Sequence, residues 1–207
     1  MSITVYGASG TGSAIIEMAL ELAGIPHIVK EIVYDKPGPT RDALFEVNPL
    51  GQLPAVIFED GTIMTESLAI LMAIDDRCHE LGLVPARGEP ERLRFLRWAV
   101  YLVAAVYPTF TYGDEPERWI YSDAAAGKTL RHTTDKRREG LLEVLEHEAD
   151  AEGPFFLGAR FSAIDLYLAV MINWRPSREW FEWKAPKLMR SALATRAKPG
   201  LSASLAR

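Results

Sequence analysis

Strand-like patterning ends near position 65 of this 207-residue chain, and everything beyond it reads as helix or connector. That asymmetry constrains the fold more than composition does. Runs of β-branched and aromatic residues bounded by turn formers mark strands, and apolar residues recurring every three to four positions mark helices. "SITVYG" is a strand that stops at glycine, and "SGTGSAIIEMALELAG" is a small-residue entry, a helix body and Gly24 as a stop. "IPHIVKEIVY" is a second strand, "KPGPT" a loop, and "TRDALFEVNP" a short helix ended by the restriction Pro49 places on its predecessor. "PAVIFED", a "DG" turn and "TIM" make strands three and four, and "TESLAILMAIDDRCHE" is again helical.

The order βαβαββα predicts a parallel first pair, because of its helical crossover, and an antiparallel edge from the hairpin. "LGLVPARGEP" is the linker. After it, "PERLRFLRWAVYLVAAVYPTF", "TLRHTTDKRREGLLEVLEHEAD", "FSAIDLYLAVMINW" and "APKLMRSALATRA" all carry helical patterning. Pro108 is expected to kink or end the first of these, and "DKRREG" to be a solvated face. The expected organisation is a small α/β domain over residues 1–80 and an all-helical domain over 90–207.

Charge and cysteine usage remove several function classes. With 23 Lys+Arg against 28 Asp+Glu, a net of −5, the chain lacks the basic excess that nucleic acid or an anionic membrane attracts. Cys78 is the single cysteine, so neither an internal disulfide nor CxxC redox chemistry is available. The four histidines, His27, His79, His132 and His147, show no metal-ligand spacing, and no metal site is expected. No stretch is apolar for long enough to span a bilayer and no leader-like opening is present, so the expected location is the cytoplasm.

Four pieces, "VYGASGTGSAIIEMALELAGIP", "NPLGQLPAVIFEDG", "TESLAILMAI" and "FSAIDLYLAVM", occur in this order over nearly the whole length. In them the chain resembles a cytosolic glutathione S-transferase of the bacterial type. The resemblance implies a thioredoxin-like first domain with a helical bundle after it. It also implies glutathione as co-substrate, no metal, and a homodimer.

The same pieces carry the candidate site residues. In the resembling family the proline of Leu53-Pro54 follows a cis peptide bond, and the backbone of the residue before it pairs with the cysteinyl unit of glutathione as with an added strand. Read from the residues alone, Pro54 equally suits the first position of an edge strand. Gln52 is placed by the resemblance near the glycine carboxylate end of the tripeptide. Glu66-Ser67 stands where a strand hands over to a helix, and the free N–H groups of a helix start hold an anion well. Ser67 would take the γ-glutamyl carboxylate and Glu66 the ammonium; the plain structural alternative is a Thr65 cap with an acidic first turn. Thiol activation falls to "YGASGTGSA", where Ser9 and Ser13 rank together, then Thr11, then Tyr6. Tyr6 also reads as a packed strand residue and Ser13 as a helix-start residue.

Ser162 and Asp165, three apart at a helix start, have the spacing of a capping box and a structural role. Tyr107, Phe110 and Tyr112 are the expected lining of an electrophile pocket, within a stripe that is otherwise core. Trp180, Phe181 and Trp183 either close that pocket or pack on the tail. The function implied is transfer of the glutathione thiolate to small apolar electrophiles, a detoxifying chemistry. The alternatives are a non-catalytic binding or interaction protein of the same fold and a glutathione-dependent isomerase.

Overall fold

A computed structural model describes residues 2–34, 36–120 and 123–205. The chain separates into two compact units, one of Met1–Val84 with Arg196–Arg207 and one of Pro85–Thr195. The C-terminal residues, assigned from sequence to the helical domain, thus cluster with the first unit.

The first unit runs β1 (Ile3–Gly7), α1 (Ser13–Leu22), β2 (His27–Glu31), α2 (Pro39–Val47), β3 (Ala55–Ile57), β4 (Ile63–Met64) and α3 (Ser67–Arg77). Its sheet has the order β2-β1-β3-β4, with β1 parallel to β2 and antiparallel to β3, and β3 antiparallel to β4. This is the expected mixed sheet of a thioredoxin-like domain. β1 is central and accordingly buried on both faces. Its side chains alternate: Tyr6 joins Ala55, Ile32 and Leu44 of α2 in one cluster, while Ile3 and Val5 point to the opposite face, where α1 packs.

α1 stops as "LAG" predicts. Gly24, at φ 65°, donates to the Glu21 carbonyl, and Ile25 reaches back to Leu20 at 2.9 Å. The left-handed residue there is one that glycine adopts without a Cβ penalty. A short C-terminal helix, α10 (Ser202–Leu205), packs on α1.

α3 carries a buried acid, Asp75, whose Oδ1 accepts the Leu83 N–H at 2.7 Å. Burial outweighs that bond and raises its carboxyl above 3.8. A raised acid contributes stability below its unfolded value and loses it as pH climbs through the folded one. Asp75→Asn keeps an acceptor for Leu83, so it is expected to gain on the wild type as pH rises from about 3 to 7. Urea midpoints of both proteins across that range check this, and a constant difference contradicts it.

The second unit is helical: α4 (Arg92–Tyr101), a π-helical turn (Leu102–Val106), α5 (Tyr107–Asp114), α6 (Ala124–Glu148), α7 (Ala163–Met171), α8 (Arg178–Lys184) and α9 (Pro186–Arg196). α10 (Ser202–Leu205) follows and belongs to the first unit. Pro108 neither ends nor breaks its helix. The wider π turn directly before it takes up the place where the proline lacks an N–H and crowds the preceding turn. α7 is buried at all nine positions, as a helix apolar on every side must be.

"DKRREG" is not a uniformly solvated face. Arg138 is fully buried. Its Nε and Nη2 donate to the Thr109 hydroxyl and carbonyl at 3.0 Å, and Nη1 to Asp135 at 2.8 Å and to the Arg175 carbonyl at 3.2 Å. Its guanidinium also stacks 3.8 Å from the Phe110 ring centroid. A buried guanidinium persists only when its donors are satisfied, and these partners tie α5 to α6 and to the Arg175–Pro176 turn.

At the start of α7, Asp165 is wholly buried. Oδ2 accepts the Ser162 N–H at 2.8 Å and its hydroxyl at 3.1 Å; Oδ1 accepts the Phe156 N–H at 2.7 Å and the Ser191 hydroxyl at 2.6 Å. Burial pushes this carboxyl up and the four donors oppose it.

Candidate functional site

Register alone sets three of the sequence-predicted segments at one end of the sheet. Tyr6 lies opposite Ala55 across the antiparallel β1–β3 pair, and Val56 opposite Met64 across β3–β4. The residues after β1, before β3 and after β4 therefore leave the sheet on the same side. They are the loop 8–12, the stretch Gln52-Leu53-Pro54, and Thr65-Glu66-Ser67.

The stretch before β3 is locked by Asn48, which is 4% exposed. Its amide donates to the Gln52 carbonyl at 2.8 Å while its side-chain oxygen accepts the Leu50 N–H at 3.1 Å. Gly51 sits at φ 61°, and a Cβ there would lie 2.6 Å from the Phe45 ring. The Leu53–Pro54 bond is cis. Leu53 precedes the β3 ladder, and its backbone N–H and C=O take part in none of the hydrogen bonds among the described residues. Gln52 is exposed. Sequence reasoning passed over Asn48, whose signal as "NP" read only as a helix stop.

The start of α3 differs from the plain alternative. Glu66, not Thr65, is the cap: its carbonyl accepts the Ile70 N–H at 3.0 Å, its side chain makes no capping bond, and the first turn holds no acid. Glu66 is also the one non-glycine residue with positive φ, 64°, among those described. Such a backbone costs about 1–3 kcal/mol and is concentrated at ligand sites. The helix start is thus left with its partial positive charge and no side-chain anion of its own. Ser67 is the first helical residue and half-buried.

The loop after β1 separates the four hydroxyl candidates by direction. Ser13 is fully buried, with its Oγ 3.0 Å from the Glu17 carboxylate and 3.2 Å from the Ala8 N–H that donates to it. Thr11 donates its hydroxyl proton to the Ala8 carbonyl at 2.7 Å. Tyr6 is held in the α2 cluster, its hydroxyl 3.3 Å from the Lys30 ammonium. Ser9 is exposed, and its N–H donates to Glu31 at 3.1 Å. Gly12 caps α1, the Ser13 N–H reaches the Thr11 hydroxyl oxygen at 3.4 Å, and no acid stands in the first turn.

In the helical unit Tyr107 and Phe110 come together, ring centroids 6.1 Å apart, and Trp174 packs edge-on against both. The Tyr107 hydroxyl is buried, and burial raises it well above 10.0, so it stays protonated. Tyr112 stands apart from this cluster, 4.7 Å from Trp119. Phe181 is buried and Trp183 is 87% exposed, so the "REWFEWK" aromatics do not act as one group. Trp174 was not among the residues selected from sequence. Among the described residues no group of His, Cys, Asp or Glu is placed to hold a metal ion, and no helix is long and apolar enough to cross a membrane.

Comparison with known proteins converges on one family. The family model described as glutathione S-transferase, N-terminal domain, matches residues 13–77. The GST-like protein YncG of Escherichia coli K12, described as uncharacterized, is 38% identical over 206 residues, 99% of this chain and 98% of that protein. A glutathione transferase homologue from Sulfitobacter, solved with bound glutathione, superposes with a TM-score of 0.82 at 23% identity, over 99% of this chain and 97% of that one. A sphingomonad glutathione S-transferase complexed with glutathione gives 0.78 at 23% identity, over 98% and 97%. By its full-length relationship and its fold, the chain belongs to the bacterial-type glutathione S-transferase family.

Proposed function

We propose that the protein binds glutathione at this end of the sheet and directs its thiolate at an electrophilic carbon of a small apolar compound. The observation that carries the reading is the meeting of the loop 8–12, Leu53 and the α3 start on one side of the β1–β3–β4 ladder. A tripeptide has a backbone, two carboxylates, an ammonium and a thiol to place. Leu53, outside its strand's ladder, suits the cysteinyl backbone as a strand-like partner. The α3 start with Ser67 suits the γ-glutamyl carboxylate, Glu66 the ammonium, and exposed Gln52 the glycine end.

The thiol must then be ionised, since a free one near pKa 8.5 is mostly protonated at neutral pH. The N-terminus of α1, free of acids in its first turn, points its dipole at the loop. Of the four hydroxyls Ser9 takes the role, because it is exposed on the loop while Ser13 and Tyr6 face inward. In the reaction the sulfur forms its bond to carbon, the leaving group departs with the old bonding pair, and the thiol proton passes to water. Holding both reactants in place supplies the rest of the acceleration. A second copy of the chain would cover Ile63 of β4 and Met72 of α3, 49% and 37% exposed.

Calorimetric titration with millimolar glutathione is expected to give saturable heat, and a chlorodinitrobenzene is expected to be conjugated with release of chloride. Heat without turnover identifies a non-catalytic member. No heat removes the glutathione site altogether.

A further inference from the structure

Glu17 is a buried carboxyl for which the proposed chemistry has no use. It is 2% exposed, lies on α1 one turn after Ser13, and has Oε1 3.0 Å from the Ser13 hydroxyl. We propose that Glu17 is a positioning residue, acting through Ser13 to hold the loop that faces the thiol. The proposal rests on the functional reading above for what that loop does.

Proton counting at Ser13 gives the mechanism. A serine hydroxyl has one proton to donate and two lone pairs. The Ala8 N–H donates to it at 3.2 Å, so one lone pair is taken. Three acceptors compete for the proton: Glu17 at 3.0 Å, Thr11 Oγ1 at 3.2 Å and the Ala8 carbonyl at 3.3 Å. Thr11 already donates to that carbonyl at 2.7 Å. The Glu17 oxygen is the nearest of the three, so it takes the proton and turns a lone pair toward Ala8. Glu17 thereby sets the direction of a hydroxyl that grips the loop's first peptide N–H.

The surroundings leave the pair no slack. A Cβ on Gly7 would lie 2.6 Å from Ser13 Oγ and 3.2 Å from Glu17 Oε1, so the end of β1 passes directly against them. One turn further along the same face, Glu21 accepts the Ser204 N–H at 2.9 Å and its hydroxyl at 2.7 Å, which seats α10 on α1. Ser13 and Glu17 are therefore covered, not solvated, and Glu21 is half-buried beside them. A hydroxyl aimed by a buried acceptor in such a place positions backbone more firmly than one free to rotate.

The test uses Glu17→Gln, Glu17→Met and Ser13→Ala in the full chain. In Glu17→Met without ligand, the Ala8 amide is expected to exchange with solvent about ten-fold faster, the effect of losing one hydrogen bond. Turnover of glutathione with a chlorodinitrobenzene is expected to fall about ten-fold in kcat while glutathione affinity changes less than about two-fold. Glu17→Gln keeps an acceptor oxygen and is expected to restore both readouts. Ser13→Ala should reproduce Glu17→Met, and the double variant should add nothing, as for residues acting as one unit. If Glu17→Met folds poorly, Ser13→Ala carries the same readouts. Unchanged Ala8 exchange overturns the positioning whether or not the protein binds glutathione. Faster exchange with undiminished kcat overturns its catalytic consequence. A wild type inert toward glutathione overturns the functional reading instead, and is seen before any variant is made.

Discussion

Asp165→Ala is expected to lower stability by about 3–5 kcal/mol, the range found when a buried charged network loses its centre. Four donors converge on this carboxylate, from Phe156, Ser191 and twice from Ser162, at distances of 2.6 to 3.1 Å. Alanine leaves all four facing a cavity, and each unsatisfied buried donor costs about 1–3 kcal/mol before relaxation. A domain of this kind holds only about 5–15 kcal/mol in total, so the variant should be poorly folded at physiological temperature. Asp165→Asn does not repair it, since the amide nitrogen meets either the Ser162 or the Phe156 and Ser191 donors. Ser162→Ala removes one hydroxyl and is expected to cost about 1 kcal/mol. Urea unfolding of the three variants orders them. An alanine variant within about 1 kcal/mol of the wild type would show that water replaces the carboxylate and that the box is dispensable.

The double variant Glu66→Gln, Ser67→Ala is expected to weaken glutathione binding about 100-fold, or about 2.7 kcal/mol. The Ser67 hydroxyl donating to a carboxylate is worth about 1.5–3 kcal/mol. An exposed Glu66–ammonium pair adds about 0.5–1 kcal/mol. The melting temperature is expected to stay near that of the wild type, because Glu66 is exposed and makes no capping bond. Calorimetry reads the affinity and a thermal scan reads the fold. Full-strength binding removes the pair from the site, and collapse of the fold makes it structural.

Which segments would form which elements was legible along the chain. The hairpin of β3 and β4, the Gly24 stop of α1 and the spacing of Ser162 and Asp165 rest on interactions among near neighbours, and those are written in the residue order. The thioredoxin-like order of elements followed from them. Pro108 does not end its helix, because the π turn that accommodates it depends on how the whole helix packs rather than on proline's own restriction. "DKRREG" misled for a related reason. One position in it, Arg138, meets Thr109, Asp135 and the Arg175 carbonyl, and two of those partners lie far away in sequence.

The site divides in the same way. Periodicity, turn chemistry and proline placement put a loop, a proline and a helix start in order along the chain, and strand register then carries all three to one end of the sheet. The direction of each hydroxyl is another matter. "GASGTGSA" offers several small polar residues with nearly identical local propensities, so nothing local tells Ser9 from Ser13. Only packing decides that Ser13 turns inward to Glu17 and Ala8 while Ser9 stays exposed. Local structure depends on neighbours within a few residues and is legible in their order; burial and side-chain direction depend on contacts between distant segments, and those exist only once the chain has folded.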